Sequence, residues 1–202
     1  MARDCVEAAA VAIGSGDRMS YRHVCGIGLL RFTAGAEGIN ALSLSEMFLA
    51  VPQDELILQV VGDLAQRVER APDFCSRESV AGARAWLMLR KGHLAEAAAP
   101  SPSVSEPPLP TTPIVARLRK ADRLGAIVGF RRAIALGQLG LSDEARQAFA
   151  EGMKNLGPAS LRDEPRDLGE SYARWYLAKA HRREAEQVFK AKAITIPDEP
   201  SK

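Results

Sequence analysis

Thirty-four residues separate Gly28 from Gly62, and the text around the two glycines reads alike: "VCGIGLLRF" surrounds the first and "LQVVGDLAQRV" the second. A fixed interval of that length marks a repeated helix-turn-helix unit, one helix pair opening near each glycine. One such unit cannot bury its apolar face alone, so each must stack on its neighbour. Three later segments follow the same grammar: "LRKGHLAEAAA", "LGQLGLSDEARQAF" and "RREAEQVFKAKAITIP". This periodicity constrains the chain to an all-α fold of stacked helical hairpins.

Composition agrees. The 202 residues are 47% hydrophobic but only 5% aromatic, and alanine is abundant. Alanine and leucine cost least in a helix, whereas a sheet protein would draw on Val, Ile, Thr and Tyr. Cys5, Cys25 and Cys75 include no C-x-x-C pair. They read as small hydrophobes in a reducing compartment, which places the chain in the cytoplasm. The opening apolar stretch "CVEAAAVAIG" contains Glu7 and follows Asp4. It fits neither a secretory signal nor a membrane span, which needs about 20 apolar residues.

Apolar spacing and helix-stop residues divide the chain. A first helix over about 3–13 stops at Gly14, Ser15 and Gly16, and Asp17 caps a second that carries Tyr21, Val24, Cys25, Gly28, Leu29 and Phe32 on one face. A third carries Ile39, Leu42, Leu44, Met47 and Phe48 and ends at Pro52. Asp54 opens a fourth, with Leu56, Ile57, Val60, Val61, Leu64 and Val68 buried by spacing, and a fifth spans about 77–90 before Gly92 and the short segment 94–99. Residues 100–113 hold six prolines in fourteen positions. Proline and the residue before it resist helix, so an extended linker or loop is expected there. Helices resume over 114–122, 124–139, 142–156, 165–180 and 183–193. The expected layout is therefore helical hairpins over 1–99, the Pro-rich linker over 100–113, helical hairpins over 114–197 and a polar tail over 198–202.

The stretch "AAAVAIGSGDRMSYRHVCGIGLLRF" resembles the start of the tetratricopeptide (TPR-like) region that follows the kinase domain in many large bacterial serine/threonine protein kinases. The residues carrying the resemblance are Gly16, Asp17, Arg18, Tyr21, Arg22, Cys25, Leu30, Arg31 and Phe32. "RWYLAKAHRREAEQVF" is similar to the closing helices of those regions through Trp175, Ala178, Ala180, His181, Glu184 and Ala185, with Arg182-Arg183 where a Leu-Gly turn normally follows the histidine. The resemblance implies an α-solenoid of TPR-like hairpins interrupted by the Pro-rich loop, working as a protein-binding adaptor. It leaves open whether the chain is the accessory region of a larger kinase or a free-standing relative.

No phosphate-cradling kinase loop, His-Arg-Asp or Asp-Phe-Gly occurs, so the reading is non-catalytic with no cofactor. Gly26-x-Gly28 lacks the strand and third glycine of a dinucleotide turn and reads as helix packing. His23, His93 and His181 are too scattered for a local metal site. In the resemblance, a concave groove lined by the first helix of each pair meets the partner. Projection puts Arg22, Cys25, Leu29 and Phe32 there from the first unit, Leu56, Gln59, Asp63, Gln66 and Arg67 from the second, and Glu170, Arg174 and Leu177 from the last. Cys25 and Leu29 replace the lysine and asparagine of carboxylate-clamping relatives, so a helix or extended segment is the expected ligand.

Net charge is only +2, with ten basic and thirteen acidic residues before position 114 and seventeen and twelve after it. Arg117, Arg119, Lys120, Arg123, Arg131 and Arg132 form the densest basic cluster. It is either an ordinary solvated face or a site for an acidic protein segment, and near-neutral charge without interleaved aromatics argues against nucleic acid. A protein or peptide partner, with no membrane, is the expectation. The alternative within the same fold is a chaperone that shields a secreted or assembling client.

Overall fold

The computed structural model of the chain describes residues 2–70, 77–99, 114–156 and 172–197. Every regular element among them is α-helical: α1 (Ala2–Ser15), α2 (Arg18–Phe32), α3 (Gly38–Leu49), α4 (Glu55–Arg70), α5 (Arg77–Arg90), α6 (Leu94–Ala98), α7 (Ile114–Leu139), α8 (Ser142–Leu156) and α9 (Tyr172–Ala191). They fall into two compact units, residues 1–102 and 103–202.

Local chemistry sets the helix ends. Asp17 accepts from Ser20 N at 3.0 Å and Asp54 from Ile57 N at 3.0 Å, each satisfying a donor that the first turn leaves orphaned. Helices α1, α5 and α7 end in one motif: a glycine of positive φ (Gly16, Gly92, Gly140) is followed by an amide that donates five residues back, as from Leu141 N to Leu136 O at 3.0 Å. The end of α9 repeats it with Ala193 at φ 54°, where Ile194 N donates to Phe189 O at 2.9 Å. A Cβ disfavours that conformation, so Ala193 is held there by the closure of the motif and by the buried Ile194 beyond it.

In unit 1 the closest pairings are α1 with α2, α3 with α4 and α5 with α6; α3 also packs on α1 and α5. The glycine interval implies pairs starting at α2 and α4, so the observed pairing begins one helix earlier. The two glycines are also unlike. A Cβ on Gly28 would stand 2.7 Å from Met47 Cε, whereas one on Gly62 would meet nothing within 4 Å. Helix α3 is the centre of the unit: Ala41, Leu42, Leu44, Met47, Phe48 and Leu49 are all fully buried. Its sequence, "GINALSLSEMFL", has almost no polar side, as expected of a helix enclosed by others. Leu56, expected inside by spacing, is instead 66% exposed, while Leu58, one residue outside that expectation, is buried.

In unit 2, α7 packs along α8 and α9. Small residues permit the first contact: a Cβ on Gly129 would lie 2.6 Å from Gly152 N and 2.7 Å from its Cα. Phe149 then bridges the three helices, its ring 5.3 Å from Phe130 of α7 and 5.3 Å from Phe189 of α9. Two expectations are corrected here. Helix α7 runs unbroken through 122–124, and α9 runs unbroken through Arg182-Arg183. No glycine or proline interrupts either stretch, and Arg182 donates to Glu186 Oε1 at 2.7 Å one turn ahead along the helix.

Candidate functional site

The exposed face of α4 is built by its period. Gln59, Asp63 and Gln66 are exposed and line up with Leu56, because Leu58, Val61, Leu64 and Val68 take the opposite side into the core. The structure thus brings together four of the residues projected onto a partner surface. On α2, Arg22 is exposed, Phe32 is half-buried and Cys25 is buried. Leu177 of α9 is buried too. The side chain of Arg174 lies outside the described residues.

Arg67 is directed elsewhere. Its Nη1 donates to Thr33 O at 2.6 Å, Ala34 O at 3.1 Å and Ala36 O at 3.4 Å, closing the end of α2 and the loop into α3. A guanidinium suits this place, since the last carbonyls of a helix are unsatisfied and carry its negative pole. The end of α3 is finished likewise. Tyr21 Oη donates to Met47 O at 2.7 Å, Gln53 Nε2 donates to Phe48 O at 2.7 Å and to Tyr21 Oη at 3.2 Å, and Arg90 Nε donates to Leu49 O at 2.9 Å. Side chains from α2, the α3–α4 connection and α5 thereby form a polar collar around one helix terminus. Periodicity had no means of finding it, because the acceptors are backbone groups, and those of Tyr21 and Arg90 lie 26 and 41 residues away.

Beside the collar, burial pushes the Cys25 thiol up to about 11, with the neighbouring Cys5 adding to the shift. Burial likewise holds the Tyr21 phenol well above its usual range. Both groups stay neutral and protonated at physiological pH, which suits packing and hydrogen bonding and removes the thiolate that nucleophilic chemistry needs.

Two members of the basic cluster of the second unit take roles of their own. Arg131 is only 4% exposed, so it belongs to the interior and not to a surface patch. Arg132 Nη1 lies 3.7 Å from Glu151 Oε2 on α8. The side chains of Arg117, Arg119, Lys120 and Arg123 lie outside the described residues. His23 is exposed on α2, His93 Nδ1 lies 3.2 Å from exposed Glu96, and His181 is fully buried with Nδ1 3.9 Å from Glu184 Oε2. Among the described residues no group of three or more His, Cys, Asp or Glu converges as a metal cage. No helix among them is long and apolar enough to cross a membrane. An open groove of about 490 Å³ follows the end of α9, with Arg183, Glu186, Gln187 and Lys190 over Ile194 and Ile196.

No protein-family model, no curated protein and no solved structure matches this chain.

Proposed function

We propose that the chain is a non-catalytic protein-interaction scaffold of the tetratricopeptide type, an adaptor whose helical hairpins present a binding face. It works either as the accessory region of a bacterial serine/threonine kinase or as a free-standing relative. The observation that carries this reading is the exposed row on α4, where Leu56 stands with Gln59, Asp63 and Gln66. A mixed apolar and polar strip on a rigid helix suits a peptide or helix ligand. The polar side chains with defined roles in unit 1 close helix ends, which fits a scaffold better than a reaction centre. The cysteine usage fits a reducing cytoplasm.

Affinity capture from the source cell tests this, comparing the wild type with a Leu56→Asp, Asp63→Lys, Gln66→Ala variant that keeps its helical spectrum and melting point. A protein enriched by the wild type and lost by the variant supports the reading. Equal capture by both, or capture of nothing, overturns it.

A further inference from the structure

The outward side of α2 has a pattern that nothing inside unit 1 accounts for. Met19 and Leu30 are the most exposed large apolar side chains among the described residues, at 83% and 86%. They stand eleven residues apart, three helical turns or about 16 Å, so both project to the same side. His23 and Gly26 fall on the line between them, completing the spacing of a helix-helix seam. Gly26 sits in the helix interior, where only proline is less favourable. Gly28 faces Met47 closely, but a Cβ on Gly26 would meet nothing within 4 Å. This chain already uses facing small residues to bring two helices into backbone contact, at Gly129 and Gly152. Gly26 offers the same opening outward.

Charge selects the occupant. Arg18, Arg22 and Arg31 are exposed, none makes an ion pair among the described residues, and α2 contains no Asp or Glu. Asp17, just before it, accepts from Ser20 N as the helix cap. We infer that this face docks an acidic amphipathic helix of a partner protein, which crosses α2 over Gly26, sets apolar side chains on Met19 and Leu30, and turns carboxylates toward the three arginines. A second copy of α2 would bring arginine onto arginine, and an anionic bilayer has no use for an opening midway along the helix. The inference rests on the protein-binding reading above and names the chemistry of the partner.

The test titrates the full chain with a labelled synthetic acidic amphipathic peptide, leucine at its seam, alanine at the central seam position and glutamate on its flanks, alongside a lysine-flanked counterpart. Saturable micromolar binding of the acidic peptide alone is expected. Gly26→Leu, whose Cβ enters open space, should keep the helical spectrum and weaken binding at least tenfold. Met19→Glu with Leu30→Glu should do the same, and Arg22→Glu with Arg31→Glu should transfer preference to the lysine peptide. Absence of saturable binding, or binding indifferent to Gly26→Leu, overturns the inference. Cosedimentation with phosphatidylglycerol vesicles, or a dimer, that Gly26→Leu abolishes also overturns it and assigns the face to a bilayer or to a second copy. A cellular partner lost by the α4 variant but retained by Gly26→Leu leaves the scaffold reading intact and removes this one.

Discussion

Gly129 and Gly62 are both glycines within helices, and opposite forces act on them. At Gly129 an added methyl group would press on the backbone of Gly152 at 2.6–2.7 Å, and no rotamer change can move a backbone aside. Gly129→Ala should therefore destabilise unit 2 by about 3 kcal/mol, the upper part of the overpacking range. Gly62→Ala meets no neighbour and should stabilise unit 1 by about 1 kcal/mol through helix propensity alone. Urea unfolding of both variants checks the pair. Arg67 also separates two roles. With three carbonyls on its guanidinium, Arg67→Ala should cost about 2 kcal/mol, typical of hydrogen bonds to a charged group, whether or not a ligand is present. A variant of unchanged stability would return Arg67 to the partner face. The Cys25 thiol gives a pH dependence. Its folded value of about 11 lies above the ordinary 9.0, so between these limits the unfolded chain releases a proton that the folded chain keeps. Stability is full below pH 9 and falls as pH rises toward 11. Melting temperatures across that window should decline, and less steeply in Cys25→Ala.

At the scale of the helix, boundaries set by local chemistry were legible in the sequence. Asp17, Asp54 and Gly92 act within a few residues of themselves, and the helices they bound begin and end where those residues predict. Pairing was not legible, since the choice between α1 and α3 as the companion of α2 is made by surfaces that meet only in the folded unit. The exposed row of Gln59, Asp63 and Gln66 follows from period and was readable, whereas the inward role of Arg67 and the burial of Arg131 depend on distant neighbours. Helix α9 gives the sharpest contrast. A turn at Arg182-Arg183 follows from the family resemblance, but the residues there are good helix formers, and the helix continues. Arg183→Pro distinguishes the two states. In a continuous helix it removes a hydrogen bond and clashes with the preceding turn, so unit 2 should lose about 3 kcal/mol. A turn would accommodate proline with little change in the thermal melt.

For the whole molecule, the two tryptophans divide evenly: Trp86 is buried in unit 1 and Trp175 in unit 2, each 2% exposed. Trp86→Phe leaves emission that reports unit 2, and Trp175→Phe leaves emission that reports unit 1. Because each unit has its own core, the two signals should shift to the red at separate denaturant midpoints. Coincident midpoints would mean that the units unfold as one. The collar around the end of α3 bears on how such a chain can be shortened or extended. In an array held only by contacts between successive units, whole hairpins can be deleted or duplicated at little cost. Here the terminus of α3 is completed by Tyr21 from the hairpin before it and by Arg90 from the hairpin after it, so removing either hairpin also takes a hydrogen-bond donor from a helix end in its neighbour. Unit 1 thus ties three successive hairpins together at one helix end, and deleting the first or the last of them costs the middle one polar contacts as well as packing.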